Sequence, residues 1–148
     1  MKNEPILNVF DDEDQMIEAL AERVVDMAAD CQQKRGRFVA ALSGGNTPRP
    51  LYEKLASDPF VERMDWEKSF FFLSDERCVE PTSPESNYAM VKECLVSRAP
   101  IPETNIFPTH NQEEDPLQSA ADYQRDIEKF FKTKDLPEIP QFDLILLG

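Results

Sequence analysis

Three apolar runs constrain this chain more than any other feature. Residues 38–42 (Phe-Val-Ala-Ala-Leu), 69–73 (Ser-Phe-Phe-Phe-Leu) and 142–148 (Phe-Asp-Leu-Ile-Leu-Leu-Gly) are short and rich in aromatic or branched side chains. None shows the polar–apolar alternation of a strand with one wet face. Runs of this kind read as strands buried on both sides, which is the condition of a parallel sheet covered by helices. The stretches between them carry helical patterns. Ile17, Leu20, Ala21, Val24, Met27, Ala28 and Cys31 recur at helical spacing. Asp11 or Asp12 offers an N-cap, Lys34 and Arg35 fall in the last turn, and Gly36 supplies a stop. The expected fold is therefore α/β, a mostly parallel doubly wound sheet with helices on both faces.

Further elements follow in order. Residues 6–10 are expected as a first strand. A helix over 49–56 is broken by Ser57-Asp58-Pro59, and a helix over 88–98 is capped by Ser86-Asn87. Residues 105–107 fit an edge strand, and 117–132 a last helix. The third apolar run stops at Gly148, where a central strand should feed a loop and a covering helix. This predicts one α/β domain over residues 1–148, incomplete at its C-terminal end.

The chemistry is expected where two of these runs end. After Leu42 come Ser43, Gly44, Gly45, Asn46, Thr47 and Pro48, and Pro48 suits the first turn of a helix. A strand, a glycine turn and a helix start together aim backbone N–H groups at one spot, a ready site for phosphate or carboxylate. The stretch lacks the lysine of a nucleotide P-loop and the spacing of a dinucleotide fingerprint. A turn that needs glycine only for its backbone angles fits the local sequence as well. After Leu73 comes Ser74-Asp75-Glu76-Arg77. Neighbouring parallel strands would bring both polar bursts to one edge, where ligands of open α/β sheets bind. Arg77 would there offer a fork of donors to an oxyanion. Asp75 would orient Arg77 or take part in proton transfer; a loop salt bridge is the plainer reading of the same residues.

Charge narrows the partners. The formal net charge is −13, which argues against nucleic acid or an anionic membrane surface. It also repels an anionic ligand at long range, so a phosphate site must work through local donors. No run approaches the roughly 20 apolar residues of a membrane span, and residues 1–5 lack a signal-peptide core, so a cytoplasmic location is expected. Cys31, Cys78 and Cys94 form no C-x-x-C pair and read as reduced thiols, with Cys31 and Cys94 in the core. His110, the sole histidine, reads as a surface residue without metal partners.

Four segments together carry a resemblance. Residues 42–48 (Leu-Ser-Gly-Gly-Asn-Thr-Pro), 72–79 (Phe-Leu-Ser-Asp-Glu-Arg-Cys-Val), 83–88 (Ser-Pro-Glu-Ser-Asn-Tyr) and 142–148 are similar, in order and spacing, to the 6-phosphogluconolactonases. That family shares its Rossmann-like fold with the glucosamine-6-phosphate deaminases. The deaminases usually show Thr-Gly-Ser-Thr-Pro and Asp-Glu-Tyr or Asp-Glu-Phe instead. Asn46 departs from the Ser or Thr often found at its place. The resemblance implies hydrolysis of 6-phospho-D-glucono-1,5-lactone to 6-phosphogluconate, in the oxidative pentose phosphate pathway, with no metal or organic cofactor. It implies that Ser43, Gly44, Gly45, Asn46 and Thr47 bind the phosphate. Arg77 would bind the phosphate or polarise the ester carbonyl, and Asp75 would hold the polar edge of the site. The family's general base resembles a His in Gly-x-Asp-Gly-His after the Leu-Leu-Gly strand. That motif is absent here, so the 148 residues alone are expected to show little or no hydrolysis. A deaminase or isomerase of the same fold, with Asp75 as base, and a non-catalytic sugar-phosphate binder are the competing expectations.

Overall fold

The computed structural model describes residues 5–109, 115–132 and 139–147. Helix α1 (Glu13–Arg35) opens the described fold, and its ends are set by sequence chemistry. The Asp12 carboxylate accepts the Gln15 N–H at 2.8 Å, and Glu13 and Asp14 lie in the positive first turn. Gly36 adopts φ 75°, the left-handed conformation that lets its N–H reach the Gln32 carbonyl and end the helix. Ile17, Ala21, Val24, Val25, Ala28 and Cys31 form the buried stripe.

Strand β1 (Phe38–Leu42) follows, buried at every position. Then come α2 (Arg49–Leu55) and the single turn α3 (Phe60–Arg63). Strand β2 (Ser69–Leu73) leads to α4 (Asn87–Val91), which continues as a π-helical turn over Lys92–Val96. Strand β3 (Ile106–Phe107), α5 (Pro116–Lys132) and β4 (Leu144–Ile145) complete the described elements.

The strands lie in the order β3-β2-β1-β4, and every pairing is parallel. In β1 and β2 the register runs from Phe38 beside Ser69 to Leu42 beside Leu73. Both faces are covered, as the lack of alternation predicts. Phe38, Ala40, Leu42, Phe71 and Leu73 join one core with α1, α2 and α4. Val39 and Phe72 point the other way, into an aromatic layer with Phe107, Tyr123, Phe130, Phe131 and Phe142. Phe72 stacks flat on Phe107 at 4.3 Å between centroids. Cys31 and Cys94 are buried, as expected, and Cys78 is exposed.

Three expectations are corrected. Residues 6–10 form no strand; Ile6 and Leu7 are 74% and 87% exposed. Strand propensity has effect only where a neighbour offers pairing and packing, and β4 already occupies the free side of β1. The third apolar run is not a buried central strand among the described residues. It pairs with β1 alone, only Leu144 and Ile145 are in the strand, and Leu147 is 87% exposed. Its apolar pattern records what its side chains prefer, not which neighbours are present. Finally, α2 ends at Leu55, and the proline inside its first turn is Pro50, with Pro48 at the cap position. His110 and Gly148 lie outside the described residues.

Candidate functional site

The carboxyl ends of β1 and β2 are neighbours by register, and Ser74 stitches them together. Its N–H donates to the Leu42 carbonyl at 2.8 Å. Its hydroxyl reaches the Leu42 carbonyl at 2.8 Å and the Leu146 carbonyl at 2.9 Å. Three strand ends are thus held at one edge by a single serine.

From β1 the chain enters the turn of Ser43, Gly44, Gly45, Asn46 and Thr47. Ser43 is buried and both its backbone groups are taken by one side chain. The Tyr52 hydroxyl donates to the Ser43 carbonyl at 2.7 Å and accepts the Ser43 N–H at 3.1 Å. Burial pushes the Tyr52 hydroxyl well above the ordinary tyrosine range, so it stays protonated. Beyond this anchor, the N–H groups of Gly44, Gly45, Asn46 and Thr47 have no acceptor among the described residues. Gly45 has φ 89°, a backbone region that favours glycine. Gly44 is required for a different reason: a Cβ there would stand 1.9 Å from Asn87 Oδ1.

From β2 the chain enters Asp75, Glu76 and Arg77, and the three residues take separate roles. Glu76 turns inward and holds the start of α4. Its carboxylate accepts the N–H groups of Arg77 (2.8 Å), Asn87 (2.6 Å) and Tyr88 (2.9 Å), and the Ser86 hydroxyl (3.0 Å). Asp75 makes no ion pair with Arg77 among the described residues; instead it accepts from Asn87 Nδ2 at 3.2 Å. The Arg77 guanidinium is exposed and has no carboxylate partner among the described residues. It lines a cleft with Ser74, Asp75, Cys78, Thr109 and the first turns of α5, where Ser119 and Tyr123 stand. The glycine-turn residues do not line this cleft. Tyr123 forms the counterpart of Tyr52: its hydroxyl donates to the Leu73 carbonyl (2.9 Å) and accepts the Leu73 N–H (2.7 Å). Among the described residues no three His, Cys, Asp or Glu side chains gather as metal ligands.

Sequence reasoning named the two bursts but not the residues that join them. The sequence marks Asn87 only as part of a cap and of one similar segment, and it singles out neither Tyr52 nor Tyr123. Their bonds span 9 to 50 residues and carry no local signature.

An open parallel sheet with helices on both faces, and polar loops at the carboxyl ends of adjacent strands, defines a doubly wound α/β protein. The family of glucosamine-6-phosphate isomerases and 6-phosphogluconolactonases matches residues 11–148. A 6-phosphogluconolactonase of Synechocystis sp. is 43% identical over 115 residues, which are 78% of this chain and 46% of that protein. One from Nostoc sp. is 39% identical over 116 residues, again 78% and 46%. The crystal structure of 6-phosphogluconolactonase from Thermotoga maritima superposes with a TM-score of 0.72 at 33% identity, covering 90% of this chain and 55% of that one. The chain belongs to this family. It spans about half the length of the curated relatives it matches.

Proposed function

We propose that this chain carries the phosphate-binding side of a 6-phosphogluconolactonase, which hydrolyses 6-phospho-D-glucono-1,5-lactone to 6-phosphogluconate. The observation that carries this reading is the run of four N–H groups, Gly44 to Thr47, without an acceptor among the described residues at the sheet edge. Consecutive amides of this kind suit phosphate oxygens. On a chain of net charge −13, Arg77, which has no carboxylate partner among the described residues, is a local cation of the kind such a site requires. Identity to named lactonases at 39% and 43% supports the lactone over an amino-sugar substrate.

In the reaction, water adds to the lactone carbonyl and the ring ester C–O bond breaks, the leaving ring oxygen taking a proton. The amides bind the phosphate, Arg77 binds the phosphate or polarises the ester carbonyl from the cleft it lines, and Asp75 keeps the edge of the pocket polar. A general base must activate the water, and removing one typically costs about 10²–10⁴ in rate. No Gly-x-Asp-Gly-His stands in these 148 residues. The chain by itself is therefore expected to bind 6-phosphogluconate with little or no turnover, in a cytoplasmic setting that suits its reduced thiols.

Titration with 6-phosphogluconate, followed by amide NMR, tests the site. The expected result is saturable shifts at Gly44, Gly45, Asn46 and Thr47. Arg77→Ala and Gly45→Val should each weaken binding at least tenfold while the circular dichroism of the fold persists. Unchanged affinity in both variants overturns the site. Ammonia release from glucosamine 6-phosphate by a longer form carrying the chain would overturn the lactonase reading in favour of a deaminase.

A further inference from the structure

We propose that Asn87 is a positioning residue that locks the Asp75 loop to the glycine turn, so that the two move as one unit. Its role as part of the ligand site rests on the sugar-phosphate reading; the lock itself does not. Asn87 is 4% exposed, though it opens a helix beside two exposed loops. Its Nδ2 donates twice to Asp75, to the main-chain carbonyl at 3.1 Å and to the carboxylate at 3.2 Å. The other end of the same carboxamide lies against Gly44, at the place a side chain would fill. One rigid planar group thus touches both loops. The absence of a side chain at Gly44 is what permits that contact.

Asn87 is itself fixed from behind. Its own N–H and that of Tyr88 go to the Glu76 carboxylate. Because those bonds use backbone N–H groups, a change of the Asn87 side chain leaves the start of α4 intact. The carboxamide is therefore separable from the helix cap, and its task is polarity: a donor toward Asp75 in a position where a carboxylate would repel.

A polarity swap tests the lock. Asn87→Asp sets two carboxylates against each other, and should displace the Gly44 and Gly45 amide resonances and weaken 6-phosphogluconate binding about tenfold. Asp75→Asn alone keeps an acceptor for Asn87 and should leave those resonances in place. Combining Asn87→Asp with Asp75→Asn restores the donor–acceptor pair between the two side chains, though not the donor to the Asp75 main-chain carbonyl, and should bring them part of the way back to wild-type positions. Asn87→Ala, which removes the group without repulsion, should also displace them, and Asp75→Asn should not rescue it. A residue that merely fills space would show no such rescue. Unmoved resonances in Asn87→Asp, or no return toward wild-type positions in the swap, overturn the lock. If the resonances behave as stated but no form binds 6-phosphogluconate, the lock stands and the sugar-phosphate reading falls.

Discussion

Glu76 shows how far a residue's role can lie from its motif. In the sequence it sits between Asp75 and Arg77 and looks like part of an acidic–basic cluster. In the fold its carboxylate satisfies three backbone N–H groups and a hydroxyl, and it ties the end of β2 to the start of α4. Hydrogen bonds to a charged group contribute about 1.5–3 kcal/mol, and leaving buried donors unmet costs a similar amount. Glu76→Gln keeps the shape but turns one acceptor oxygen into a donor facing donors. Unfolding in urea should show a loss of about 2 kcal/mol, or a fall in Tm of roughly 4–8 °C for a chain of this size. An unchanged midpoint would remove Glu76 from the framework of the site.

At the scale of elements, the helix ends are where sequence chemistry speaks most directly. Asp12→Ala removes the oxygen that accepts the Gln15 N–H, and should cost about 1 kcal/mol. Gly36→Ala forces a side chain into the left-handed region, at about 1–2 kcal/mol. The two sites are at opposite ends of α1, so their effects on the urea midpoint should add. The same local rules made β1, β2 and most helices legible, because an apolar run and its breakers lie within one short window. They could not give strand neighbours. The edge position of the run around Ile145 and the unpaired residues 6–10 depend on which strands stand alongside, and no residue encodes that by itself. The site divides in the same way. Ser43 to Thr47, Asp75 and Arg77 are readable as strand ends, whereas the contact of Asn87 with Gly44 is a long-range fit that only the packed chain reveals.

At the scale of the molecule, the two faces of the sheet are pinned to their helices by the same device. Tyr52 reaches from α2 on one face to Ser43 at the end of β1, and Tyr123 from α5 on the other face to Leu73 at the end of β2. Each hydroxyl must keep its proton to donate, and burial raises both above the ordinary tyrosine range. In the unfolded chain they ionise near pH ~10. Above that value the unfolded state releases protons that the folded state retains, so stability falls as pH rises. The slope is about 1.4 kcal/mol per pH unit for each tyrosine. Replacing both by Phe has the opposite balance. At pH 8 the variant should be the less stable, by about 1–3 kcal/mol for each pair of backbone groups left unmet. Yet it should lack the alkaline decline of this pair, with Tyr88, Cys31, Cys94 and Lys68 as a background common to both proteins. Urea unfolding from pH 8 to 11 should therefore show the gap between wild type and variant closing by roughly 3 kcal/mol. Parallel curves would mean that these hydroxyls are not held as donors, and that the strand ends they clamp are kept in place by packing alone.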